Sequence, residues 1–199
     1  MNEFNYKNPV GPSALYDYSA ALQFSILFNY GMRACHKFLD FGCGSLRLGR
    51  LMIQYLDKHN YYGIEPKEDL INEGIKANHL QELIAHKRPG LRISGDCNMA
   101  AFNITFDYIL AYSIFTHMPI AQIRDSLKSA RLAMDANTIF LATYFEGKVD
   151  NELKDWTPNG IYYRRDTISR LIEKNNLLFT HLNLTGSGGQ CWLLIRRAS

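Results

Sequence analysis

The sequence predicts an α/β fold: an open, mostly parallel seven-stranded sheet with helices on both faces and an antiparallel hairpin at the C-terminal end. Three observations carry that expectation. Short apolar runs alternate five times with segments of helical period. The first run is cut off by the glycine pair of DFGCG and followed by an amphipathic helix. The last two runs, LLFTHLNL and CWLLIRR, are separated only by TGSGGQ, which is too short for a parallel crossover.

Each element follows from local chemistry. After a polar, proline-containing opening, SAALQFSILFNY (19–30) repeats apolar residues at helical spacing and meets Gly31 at its end. Phe38, Leu39 and Phe41 read as a buried first strand, stopped by Gly42 and Gly44. SLRLGRLMIQYLDKH places Leu48, Leu51, Met52 and Leu56 on one helical face, with Ser45 as the expected N-cap. YYGI (61–64) is the second strand, and one helix is expected from about 67 to 86. LRIS (91–94) and residues 106–111 supply the third and fourth strands. Pro119 opens a helix to about 134, and 138–143 is the fifth strand. DTISRLIEKNN carries Ile168, Leu171 and Ile172 at helical spacing behind an expected Asp166 cap.

With 199 residues, one domain spanning 1–199 is expected, with 1–35 as an N-terminal helical cover and 144–165 as an acceptor-side connection. That connection mixes polar residues, Gly, Pro and aromatics and exceeds the usual loop length, which favours a functional loop. Lys and Arg total 22 against 19 Asp and Glu, a net charge of +3. This is far from the basic balance of a protein that binds nucleic acid through its phosphates. Cys35, Cys43, Cys97 and Cys191 are dispersed without CxxC spacing, so neither a zinc site nor a disulfide framework is indicated, and a reducing, cytoplasmic setting is expected. No apolar run is long enough for a membrane span, and the start lacks a basic-then-apolar signal pattern.

DFGCG, Asp40–Gly44, is the sharpest motif, because glycines between a buried strand and a helix allow both a tight turn and close approach of a ligand to the backbone. It is neither the full GxGxxG nor the GxxxxGK[ST] pattern. Glu65 lies 21 residues after Gly44, at the expected end of the second strand, where a carboxylate can accept hydrogen bonds from both hydroxyls of a ribose. Asp96 and Cys97 follow the third strand, with Asp96 either a turn cap or an acceptor for an adenine amine. Ala111, Tyr112, Ser113 and His117 follow the fourth; His117 is a candidate proton acceptor or an orienting residue before Pro119.

These residues and their order resemble the class I S-adenosylmethionine-dependent methyltransferases, over nearly the whole chain. The resemblance implies a Rossmann-like fold and S-adenosyl-L-methionine as cofactor. Asp40, Gly42, Cys43 and Gly44 would lie beside its methionine portion, Glu65 would hold its ribose, and Asp96 and Cys97 would flank the adenine. Phe106–Phe115, with Ala111, would border the transfer centre. YGIEP and AYSIFTHMP are also similar to segments of small bacterial methyltransferases associated with saccharide or cell-envelope biosynthesis. SLRLGR departs from the family pattern, placing Arg47 where it is a candidate partner for a carboxylate or phosphate.

The expected reaction is methyl transfer to O or N of a small metabolite or a saccharide or glycan precursor. His117 and Tyr112 are the catalytic candidates. Arg47, Tyr144, Glu146, Trp156, Tyr162 and Tyr163 are the substrate-side candidates, and no metal is expected. A nicotinamide-dependent oxidoreductase and a non-catalytic cofactor-binding subunit are the alternatives. The terminal hairpin and the absent third glycine oppose the first, and the intact glycine turn with Glu65 opposes the second. Neither a broad basic stripe nor an Asn/Asp-Pro-Pro-aromatic motif points to nucleic acid, and the oligomeric state is left open.

Overall fold

The computed structural model describes residues 6–151, 153–184 and 187–198. Residues 1–5 of the expected N-terminal cover, Glu152 of the connection, and Thr185 and Gly186 of the hairpin turn lie outside the described residues. Contacts divide the chain into two compact units, Met1–Gly95 and Asp96–Ser199.

The first unit begins with a one-turn helix, Asn8–Val10, and α1 (Tyr16–Asn29). Tyr16, Ser19, Ala20, Gln23, Ile26 and Leu27 are the buried residues of α1, a stripe at the three- and four-residue spacing of a helix face. β1 (Phe38–Phe41) is buried at all four positions, as a central strand must be when both faces are covered. β2 (Tyr61–Glu65) pairs parallel with β1, and β3 (Gly90–Ile93) pairs parallel with β2, giving the order β3-β2-β1. α2 (Gly49–Tyr55), α3 (Glu68–Ala77) and α4 (Gln81–Lys87) are the crossover helices.

Two expectations are corrected here. Ser45 does not cap α2, whose N-cap is Leu48. The chain first makes a turn in which Leu46 takes a φ of 59°, and Ser45 is drawn instead to the Tyr16 hydroxyl. The single helix expected from 67 to 86 is two helices, because the chain leaves α3 at Asn78 and His79 adopts a φ of 54°. Apolar Leu80 keeps the helical spacing across the break, which hides it from a periodicity argument.

In the second unit β4 (Tyr108–Ala111) pairs parallel with β5 (Ile139–Glu146). β8 (Cys191–Arg197) pairs antiparallel with both β5 and β7 (Leu177–Leu182), so the terminal hairpin is present. α5 (Ile120–Leu132) buries Ile123, Leu127 and Ala130, and α6 (Arg165–Lys174) buries Ile168 and Ile172. Fully burying one such aliphatic side chain contributes about 1.5–3 kcal/mol. The expected Asp166 cap is corrected: Arg164 is the N-cap and Asp166 sits in the first turn, where its charge still favours the helix dipole. The described strands number eight rather than seven, because β6 (Tyr162–Tyr163), two residues long, pairs parallel with the end of β5. The expected fold class holds: strands mostly parallel, with an antiparallel C-terminal pair and helices between them.

Candidate functional site

The glycine turn after β1 is built from within the first unit. Gly42 and Gly44 have φ of 79° and 55°, a region that side chains with a Cβ rarely enter. The amides of Gly42 and Cys43 both donate to the Ile64 carbonyl, at 2.9 and 3.0 Å, which ties the turn to the end of β2. The adjacent Glu65 completes the connection: its Oε2 accepts the Gly44 amide at 3.2 Å and its Oε1 accepts the Lys67 amide at 3.1 Å. Each carboxylate oxygen has capacity for a further hydrogen bond. Burial pushes the Glu65 carboxyl up, and those two amides oppose the rise.

Asp40 is buried beneath the turn and accepts the Tyr61 hydroxyl at 2.8 Å. Burial lifts its pKa to about 6, against the lowering effects of Tyr61 and the Arg47 charge. Cys43 is buried with its sulfur over Gly63, and burial holds its thiol well above the usual range, the surroundings of a packing residue rather than a nucleophile. Gly74 of α3 lies flush against the turn, where a Cβ would collide with the Ser45 carbonyl oxygen. Arg47 donates to the Val10 carbonyl.

In the second unit, Asp96 Oδ1 accepts the Asn98 amide at 3.0 Å, and Cys97 has a φ of 57°. Ala111 and Tyr112 are buried, and the Tyr112 ring lies 5.3 Å from that of Trp192. His117 Nδ1 is 2.8 Å from the Thr157 carbonyl. A carbonyl only accepts, so Nδ1 carries the proton and Nε2 presents a lone pair. Burial lowers the His117 pKa, opposed by that hydrogen bond. The ring lies 5.2 Å from Trp156, which is 50% exposed.

The connection after β5 is stitched to the β4–α5 turn. Thr157 N–H donates to the His117 carbonyl, Ile161 N–H donates to the Thr116 carbonyl, and the Tyr163 hydroxyl donates to the Met118 carbonyl at 2.8 Å. Tyr163 is thereby buried, and burial pushes its pKa to about 12, whereas Tyr162 is exposed. Tyr144 is buried with its hydroxyl 3.3 Å from Glu146 Oε2, which also accepts Arg165 Nε at 3.1 Å. The structure thus gathers Asp40, Gly42, Cys43, Gly44 and Glu65 at one turn. It groups Tyr144 with Glu146, and His117 with Trp156.

Sequence reasoning missed a hydrogen-bonded set beside them. The Thr143 hydroxyl accepts the Ser113 amide and donates to Gln190 Oε1, while Gln190 Nε2 donates to the Ser113 hydroxyl. No local pattern joins residues so far apart in the chain. Among the described residues, no group of three or more His, Cys, Asp or Glu side chains is arranged to hold a metal ion. No helix among them is long and apolar enough to cross a membrane.

Three solved structures illustrate the fold. An S-adenosylmethionine-dependent methyltransferase from Clostridium acetobutylicum is 11% identical, with a TM-score of 0.68 over 92% of each chain. Magnesium protoporphyrin IX methyltransferase from Synechocystis with bound S-adenosylmethionine is 12% identical, with a TM-score of 0.68 over 94% of this chain and 81% of its own. A glycopeptide N-methyltransferase complexed with S-adenosylmethionine is 12% identical, with a TM-score of 0.66 over 91% of this chain and 94% of its own. At such identities the likeness is one of fold. No curated protein matches the sequence. Residues 39–140, just over half of the chain, match the family described as a methyltransferase domain, and they run from β1 through the glycine turn and Glu65 to the start of β5. The chain therefore belongs to that methyltransferase family, in the class I group whose cofactor is S-adenosylmethionine.

Proposed function

We propose that this methyltransferase acts on a small metabolite or a saccharide precursor, at a hydroxyl or an amine, with His117 accepting the proton of a hydroxyl acceptor. The observation that carries this reading is the fixed tautomer of His117: Nδ1–H is held by the Thr157 carbonyl, and Nε2 is left as a base. Its lowered pKa keeps that base neutral at physiological pH.

The residues of the first unit fit the cofactor. Glu65 has acceptor capacity beyond its two backbone donors, which suits ribose hydroxyls, and the positive φ of Gly42 and Gly44 makes the tight turn after β1 that cofactor binding in this architecture uses. Asp40, with Cys43 packed behind it, holds that turn in shape. Asp96 and Cys97 are assigned to the adenine side, and Ala111 with Tyr112 to the border of the transfer centre. Bound S-adenosylmethionine supplies an electrophilic methyl group on a sulfonium.

On the acceptor side, Trp156 and Tyr162 offer exposed aromatic faces of the kind on which sugars and flat metabolites pack. Glu146 and Arg165 provide polar contacts, with the buried Tyr144 hydroxyl supporting Glu146, Tyr163 anchors the connection, and Arg47 acts through the N-terminal segment that it holds. Neighbours of the fold that bear the names of a porphyrin methyltransferase and a glycopeptide N-methyltransferase are consistent with a compact acceptor. The balanced charge favours the same reading over nucleic acid.

The test is transfer of a labelled methyl group to a panel of hydroxyl- and amine-bearing saccharides and metabolites. His117→Ala is expected to lower kcat on a hydroxyl acceptor about 100-fold with unchanged affinity for S-adenosylhomocysteine. The wild-type rate should hold as pH falls to about 6.5, the ordinary histidine value, and decline only below it. An unchanged rate for the variant at every pH would remove His117 from the reaction, and labelling of nucleic acid alone would overturn the acceptor class.

A further inference from the structure

We propose that the N-terminal segment Asn8–Gly11 is a wall of the cofactor site, a strap laid on the glycine turn whose release governs how long the cofactor stays bound. The inference rests on the cofactor reading of that turn. Three contacts define the strap. The Val10 side chain covers Gly44 so closely that a Cβ there would collide with its Cγ1. Arg47, three residues beyond Gly44, donates to the Val10 carbonyl, and its Nη1 also lies 3.4 Å from where a Cβ on Gly11 would stand. Pro9, together with Pro66, Lys67, Glu68, Asp69 and Leu70, lines a cleft of about 470 Å³ at the end of β2.

The strap thus borders both structures that Glu65 joins, seated on the glycine turn at Gly44 and facing Lys67 of the β2–α3 turn across the cleft. A ligand held by the Glu65 carboxylate and the turn backbone therefore lies against Pro9 and Val10. The anchoring beyond the strap is firm. Tyr16 bonds Ser45, Lys7 sits 5.1 Å over the Tyr16 ring, and Arg50 pairs with Asp17 while lying 5.3 Å from the same ring. The strap itself has no buried residue and is held by the latch from Arg47 and one interlocking valine. A segment with few buried contacts and well-held flanks opens locally without unfolding its surroundings. Gly11, with a φ of 118°, lies at its C-terminal end, where little steric resistance opposes a swing.

The test uses S-adenosylhomocysteine as the probe, with calorimetry for affinity and stopped-flow measurement for the dissociation rate. Val10→Gly should raise the dissociation rate at least five-fold, and a chain lacking residues 1–11 should raise it ten-fold or more, with a correspondingly weaker Kd. Saturating S-adenosylhomocysteine should also slow tryptic cleavage after Lys7 at least five-fold. If both variants bind within two-fold of the wild type, the strap is no wall. If the shortened chain binds more tightly, the segment obstructs the site, and the proposal is equally overturned. Val10→Gly carries the test should the shortened chain not fold. Failure of the wild-type chain itself to bind S-adenosylhomocysteine would instead strike the cofactor reading, and the strap with it.

Discussion

The glycine turn of the first unit and the connection after β5 in the second solve opposite problems with the same kinds of residue. At the turn, buried side chains reinforce the main-chain bonds to Ile64: Glu65 clasps two amides, Asp40 accepts the Tyr61 hydroxyl, and Gly74 brings α3 onto Ser45. In the connection, main-chain bonds set the path, with Thr157 and Ile161 donating to the carbonyls of His117 and Thr116, the His117 ring and the Tyr163 hydroxyl add side-chain ties, and Trp156 and Tyr162 are left exposed. The carboxylates follow suit. Burial raises Asp40 and Glu65, whereas at Asp150 the rise that burial would cause is outweighed by the Arg164 amide, the Thr167 hydroxyl and the Arg164 guanidinium acting together, and the carboxyl is held low. A region framed by buried side chains has a fixed shape and suits an invariant ligand. A region hung on main-chain bonds can change its exposed side chains without changing its path, which suits an acceptor.

The largest effect expected from this contrast concerns Asp40. Its native pKa of about 6 stands above the unfolded value of 3.8, so between these the native state keeps a proton that the unfolded chain has released. Stability is then fully present below about pH 4 and lost as pH rises through about 6, by roughly 3 kcal/mol for this one group. Urea unfolding of wild type and Asp40→Asn between pH 4 and 7 checks it: the difference between the two should change across that window. Parallel pH profiles would show that Asp40 is not buried as an acid. The smallest effect concerns Trp156. Being half exposed, it should be replaceable by Ala with a stability change within about 0.5 kcal/mol and no change in S-adenosylhomocysteine affinity, while the KM for the acceptor rises. Loss of cofactor affinity in Trp156→Ala would erase the distinction between the two regions.

The same contrast explains what could be read from the chain. Phe38–Phe41, the glycines and Glu65 were legible because apolar runs, a turn and a carboxylate at a strand end are local signals. The break at His79 and the turn that displaces Ser45 from a cap were not, since left-handed residues other than glycine leave little trace in sequence. β6 is too short to show a period, and it exists because the returning chain meets the end of β5. The Thr143–Gln190–Ser113 set and the seating of Val10 on Gly44 depend on tertiary contact between distant segments, which no spacing rule reaches. Within the connection after β5, aromatic content alone did not separate the buried anchor Tyr163 from exposed Tyr162. The alternation of a paired strand decides that.

The assignment of Glu65 to the ribose of the cofactor is tested most directly by calorimetric titration of folded Glu65→Ala with S-adenosylhomocysteine. Hydrogen bonds to a charged group are worth about 1.5–3 kcal/mol each, so the Kd should rise at least ten-fold with the melting transition still cooperative. Wild-type affinity in the folded variant would contradict the assignment.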